Sequence, residues 1–190
     1  MSRLLFVIML SVGLLSGCAL SPQIIDLYPQ VQVSGPAYGQ GRQISVEVED
    51  QRASQTLGSR GGVYGNSSTI TINNNLTDAV QSAAQNALQQ LGFNGNSSAQ
   101  PAHMTISIET LTYDTTQKSL MYYVDLRAVL KVTTRIDGSI HEGSYKTAGN
   151  HQFGQAPDAD KNASIINKLL SDTIDRAFSD PNLARFMLKN

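Results

Sequence analysis

Between Tyr122 and Arg135 two kinds of side chain alternate along the chain. Tyr122, Val124, Leu126, Ala128, Leu130 and Val132 share one parity, and Tyr123, Asp125, Arg127, Lys131, Thr133 and Arg135 share the other. A period of two does not fit a helix, whose faces repeat about every 3.6 residues; it describes a strand packed on one side and wet on the other. Antiparallel sheets are the usual home of that pattern. The run predicts a strand over about 119–136. Asp137-Gly138 then provides two residues that tolerate positive φ, the signature of a tight hairpin, and a return strand follows over 139–152. Upstream, Met104, Ile106 and Ile108 alternate with Thr105, Ser107 and Glu109, predicting a strand over 103–113. Ile44, Val46 and Val48 alternate in the same way over 43–50, and residues 68–72 make a shorter strand.

Two stretches change to helical spacing. Leu76, Val80, Ala83, Ala84, Ala87, Leu88 and Leu91 form one stripe, preceded by Asn73-Asn74-Asn75 as a source of N-caps and followed by Gly92 as a C-terminal stop. Ile166, Leu169, Leu170, Thr173, Ile174, Ala177 and Phe178 form the other, over 159–178. Asp180-Pro181 restarts a short helix, with Asp as cap and Pro at the first helical position. The order predicts an α+β fold: a curved, mostly antiparallel sheet of about five strands, two main helices on one face and a short C-terminal helix. Residues 58–68, with four glycines, read as a flexible loop.

The chain of 190 residues opens with a short positive head, Met1-Ser2-Arg3, then an apolar run from Leu4 to Leu15. That run has the length of a signal h-region and is too short to span a bilayer. It ends in Leu15-Ser16-Gly17-Cys18, the aliphatic-small-small-Cys order of a bacterial lipobox. Cys18 is the only cysteine, so no intramolecular disulfide is possible, and its position marks it for lipidation rather than catalysis. The expected product loses residues 1–17, carries acyl chains on Cys18, and is stably anchored because it holds more than one chain. By resemblance to enterobacterial sorting, Ala19 in place of Asp favours the outer membrane over the inner. Residues 18–41, with Pro22, Pro29, Gly35, Pro36, Gly39 and Gly41, read as the lipidated N-terminus and a tether with a short strand at 30–34. Residues 42–190 then form a single domain facing the periplasm.

With these elements in place, the chain resembles the YajG-like family of bacterial lipoproteins. The resemblance rests on Leu15-Ser16-Gly17-Cys18, on the strand ending Val48-Glu49-Asp50-Gln51-Arg52, on Leu88 and Leu91 running to Gly92-Phe93, and on the hairpin and helix downstream. It implies an envelope lipoprotein and brings no catalytic residues with it.

Charged residues are 15% of the chain and hydrophobic ones 41%, with a formal charge of −1 and no Trp. Such a balance creates no field to attract nucleic acid and no stacking surface for bases. His141-Glu142 starts like a zinc motif, but Gly143-Ser144-Tyr145 follows and the second histidine is missing. His141 and His151, ten residues apart on one strand, are separated by about 33 Å. No nucleophile elbow, phosphate loop or dinucleotide loop is present. The expectation is therefore no catalytic residues, no metal and no cofactor. Asn66, Asn75, Asn96 and Asn162 match glycosylation sequons that have no meaning in a bacterial envelope.

Two polar groups are binding candidates. Asp50 and Arg52 stand at a strand end, able to anchor a ligand or simply to fix the following loop. Arg127, Lys131 and Arg135 recur every fourth residue on one strand face, about 13 Å apart, suited to phosphates or an acidic partner and equally to a solvated face. Three functions fit: a non-enzymatic module for an envelope protein or polymer, a carrier of an apolar ligand between sheet and helices, or a hydrolase using Asp50 and one of His103, His141 and His151.

Overall fold

The computed structural model describes residues 20–33, 37–62 and 65–188. Along these residues the elements are β1 (Gln23–Ile25), β2 (Ile44–Asp50), β3 (Gly58–Ser59), a 3-10 turn (Gly65–Ser67), β4 (Thr69–Ile72) and α1 (Leu76–Gln90). There follow β5 (Ala102–Lys118), β6 (Met121–Ile136), β7 (Ser139–Phe153), α2 (Ala159–Phe178) and α3 (Pro181–Met187). The alternating run is β6, and it is paired on both sides. Asp137 (φ 45°) and Gly138 (φ 75°) make the expected turn with both central residues left-handed. That turn sets the register from Ile136↔Ser139 to Tyr122↔Phe153 without a slip. β5 continues beyond 113 to Lys118 and meets β6 through a two-residue turn, Ser119-Leu120. Its last five residues, Asp114 to Lys118, have no apolar alternation. Pairing with β6, not pattern, makes them strand.

The sheet corrects the expectation of about five mostly antiparallel strands. It has seven, in a mixed sheet ordered β1-β4-β3-β5-β6-β7, with β2 also on β5. β5, β6 and β7 form the antiparallel meander. On its other side β5 carries β2 along residues 102–108 and β3 at Tyr113, both parallel to it. The two are successive pieces of one line, interrupted where β5 bulges between Ile108 and Thr110. Parallel pairs leave no turn signal, because a crossover separates their strands in sequence.

Residues 23–31 are part of the fold and not a tether. β1 pairs in parallel with β4, and Ile25, Leu27, Pro29 and Val31 alternate inward. Asn74 holds Leu27 from both sides, accepting from its amide at 2.9 Å and donating to its carbonyl at 2.7 Å. Residues 30–33 form no strand. The loop expected at 58–68 is likewise structured: β3 pairs with β4 and β5, and Arg60 is buried. Cys18, the cleavage residues Leu15, Ser16 and Gly17, and residues 34–36 of the proposed tether lie outside the described residues.

The core lies between the sheet and the helices. Met104, Ile106, Ile108 and Tyr113 of β5 and Leu130 of β6 meet Ile166, Leu170 and Ile174 of α2, all under 2% exposed. α1 lies over β2 and beside α2, and its buried Ala83, Ala84 and Ala87 allow close approach. Asn75 caps α1 by accepting from the amides of Thr77 and Asp78, and Gly92 follows at φ 86°. Asp158 and Asp180 cap α2 and α3 in the same way.

Candidate functional site

With the helices on one side of the meander, no described helix covers its other side. The residues presented there are those of opposite parity to the core. Arg127 and Arg135 are exposed, and Lys131 is 40% exposed, forming a 3.3 Å ion pair with Glu142 of β7. The structure thus keeps the three predicted cations on one strand and one face, but pairs the middle one with Glu142, which the sequence placed only beside His141. Lys131 stands directly opposite Ser144, so Glu142 is its diagonal neighbour, a pairing that follows from the Asp137-Gly138 turn.

A cleft of about 400 Å³ opens on this face, lined by Thr110, Thr112 and Asp114 of β5, Asp125 and Arg127 of β6, and Ala148 and Asn150 of β7. A neighbouring cleft of about 350 Å³ shares Asp125 and Asn150 and adds Lys118, Tyr123, His151 and Gln152. Asn150 donates to Asp125 across the β6–β7 pair, and Asp114 is Asp125's partner on β5. Two carboxylates directly opposite repel one another. Arg127, one step along the same face, supplies compensating charge. The arrangement offers a cation, two anions and several neutral donors on a rigid surface, which suits recognition of a polar partner.

The other candidates are dispersed. Asp50 takes two parallel bonds from Arg52, Nε to Oδ1 and Nη2 to Oδ2, both at 2.8 Å, and a third from the Arg52 amide at 3.2 Å. Arg52's hydrogen bonding holds the Asp50 carboxyl below the usual carboxylate range, despite partial burial acting the other way. The pair closes β2 where the chain leaves the sheet, so its structural work is evident; Arg52 Nη1 is buried without a partner. His103 meets Ser45 at 2.7 Å, His141 lies against Phe186 with the rings tilted by 30°, and His151 stacks on Phe153. None of these is brought to Asp50: Ser45, which holds His103, lies at the opposite end of β2. Among the described residues no three His, Cys, Asp or Glu side chains converge as metal ligands.

Sequence reading missed a buried polar group that ties the N-terminal segment to the fold. Tyr113 donates to Asn162 Oδ1 at 2.8 Å, Asn162 donates to Gln23 Oε1 at 2.7 Å, and Gln23 donates to the Pro157 carbonyl at 3.2 Å. Arg60 donates to that carbonyl at 3.1 Å and to the Ser21 carbonyl at 2.8 Å. Asn162 sits within the apolar stripe of α2 and is fully buried. A polar residue on such a stripe needs a partner, and that was the available signal. Asn75 and Asn162, both sequon matches, are thus a helix cap and a core residue.

A model of a family described as uncharacterized lipoprotein matches residues 29–188. No curated protein matches the chain. A crystallised protein from Xanthomonas campestris is similar in fold, at 13% identity and a TM-score of 0.50, over 82% of this chain and 92% of that one. A minor lipoprotein from Acinetobacter baumannii aligns at 12% identity and a TM-score of 0.42, over 77% and 90%. No helix among the described residues is long and apolar enough to cross a membrane.

Proposed function

This chain belongs to the uncharacterized lipoprotein family whose model spans residues 29–188, and from that membership we propose that it is a lipid-anchored binding module. It works by presenting a surface and carries out no chemistry of its own. Its anchor is Cys18, acylated after cleavage behind Gly17 in the lipobox, and Ala19 directs it to the periplasmic side of the outer membrane. Its partner is an envelope protein or polymer bearing acidic or phosphate groups.

The carrying observation is the three-stranded face of β5, β6 and β7 that no described helix covers, with Arg127, Lys131 and Arg135 along its centre. A face this broad, on strands of 17, 16 and 15 residues, is held rigid by the helices behind it. The carrier reading is less well supported, because Tyr113, Met104, Ile108, Ile166 and Leu170 fill the space between sheet and helices.

Two measurements test the proposal. Mass analysis of the N-terminal peptide should find acyl chains on Cys18 and no residue before it. Photo-crosslinking in intact cells, from a probe at Arg127 or Lys131, should give a specific adduct that a probe at the exposed Gln85 of α1 does not. From the probe at Lys131, Arg127→Gln and Arg135→Gln together should cut the adduct about tenfold while circular dichroism shows the fold retained. Equal labelling from both faces would refute the assignment of the surface.

A further inference from the structure

The strand directions decide where the N-terminus leaves the molecule. β3 is parallel to β5, β4 antiparallel to β3, and β1 parallel to β4. β1 therefore runs opposite to β5. β5 advances towards the Ser119-Leu120 turn, so the chain before β1 points towards that same end. Gln23, Ile70, Gly58 and Tyr113 lie on one row across the sheet. From Tyr113 to Ser119 is six residues of strand, about 20 Å. From Gln23 back to Cys18 is five residues, with a reach of at most about 17 Å. The two distances agree to about one residue.

Contacts fix the start of that path. Arg60 holds the Ser21 carbonyl at 2.8 Å. A Cβ on Gly62 would lie 3.5 Å from Leu20, and one on Gly61 would lie 3.0 Å from Thr115 Cγ2, so Leu20 stands beside the stretch of β5 that leads to the turn.

The turn carries one of several exposed apolar side chains, with Ile24 and Tyr28 near the N-terminal segment and Ile140 beside the far turn. Leu120 is 83% exposed, the most exposed large apolar side chain among the described residues. Ser119 takes φ 54°, which a non-glycine residue adopts at some cost, and the turn holds the leucine outward. Behind it are Met121, Tyr122 and Tyr123, with Lys118 Nζ 5.8 Å from the Tyr123 ring centre. The acids nearest on these strands, Asp114 and Asp125, are set back about 13 Å from the turn. An apolar tip, then tyrosines and a lysine, is the order of polarity across a lipid interface.

We infer that the β5–β6 turn, through Leu120, is a second membrane contact that seats on the same lipid surface as the acylated Cys18. This rests on the lipid anchoring proposed above. Two points of attachment restrain the domain's tilt, so that β6 stands away from the bilayer and Asp137-Gly138 lies about 50 Å out. The polar face that carries Arg127, Lys131 and Arg135 is then presented sideways along the periplasm.

The test uses the full acylated chain in vesicles of phosphatidylethanolamine and phosphatidylglycerol. Once Cys18 is a thioether, S119C carries a polarity-sensitive fluorophore at the tip and S139C carries one at the far turn. The tip probe should shift to the blue and be quenched at least about twofold more than the far probe by nitroxide-bearing lipid. Adding Leu120→Asp should return the tip probe to its aqueous emission without changing circular dichroism. Chain that floats with vesicles but keeps an aqueous tip probe overturns the inference and leaves the anchor intact. Chain without acyl groups whose tip probe still shifts refutes the anchor and keeps the turn as a membrane contact; an aqueous probe on unacylated chain refutes both.

Discussion

Asp180 shows how much one side chain can join. It caps α3 by accepting from the Asn182 amide at 2.8 Å, and accepts from the Tyr145 hydroxyl of β7 at 2.7 Å. Burial pushes its carboxyl up, yet the Tyr145 hydroxyl, the Asn182 amide, the His141 ring and the Leu183 amide bring it below the usual carboxylate range. Burial and the adjacent carboxylate push the Tyr145 hydroxyl up in turn, so it stays protonated and donates. A depressed carboxyl contributes stability above its unfolded pKa of about 3.9 and loses it as pH falls through the lower folded value. Tyr145→Phe should therefore cost about 1 kcal/mol at neutral pH and progressively less as acid protonates Asp180. Urea melts at pH 7 and pH 3 check this; an equal loss at both would show that the bond to the ionised form is not what Tyr145 contributes.

At the scale of elements, β3 explains why a two-residue strand matters. A Cβ on Gly58 would fall 1.7 Å from the Tyr113 carbonyl, so glycine is required for the backbones to meet. The Tyr113 amide donates to the Leu57 carbonyl at 2.8 Å, locking the row that joins β1 and β4 to β5. Gly58→Ala should separate β4 and β1 from the meander while leaving β5–β7 and α2 paired. Hydrogen exchange should show lost protection at residues 23–25 and 69–72, with a global cost of about 3 kcal/mol or more. Unchanged protection in β1 would mean that the segment is held chiefly by Arg60 and Asn162. Most of the meander was legible in sequence because β6 and the first part of β5 carry their own alternation and Asp137-Gly138 marks the turn into β7. β3 was not, since two residues among glycines carry no period and their strand state comes from both neighbours.

For the whole molecule, the functional boundary is not the compositional one. Prolines and glycines set 18–41 apart from the rest, but Ile25, Leu27 and Val31 are buried in the common core. A protein beginning at residue 42 would uncover that core and leave the buried Asn162 Nδ2 without its acceptor, Gln23 Oε1. It should bind hydrophobic dye and melt about 10 °C or more below the chain beginning at residue 19. Equal melting temperatures would show that the segment only rests on the fold. The same docking fixes the direction of the chain at Gln23, the premise on which the proposed pairing of anchor and hairpin tip rests.

Local pattern by itself determined the helices, their caps, the β6–β7 turn and the α+β class, because each depends on residues within a few positions of one another. It also determined which strand residues face out, since parity is a local property. Tertiary structure decided the parallel strands, the docking of residues 23–31, the Lys131–Glu142 pair and the direction in which β1 runs relative to β5. Those depend on segments tens of residues apart, whose meeting is chosen by the burial of shared apolar surface and by hydrogen bonds that must be satisfied within it.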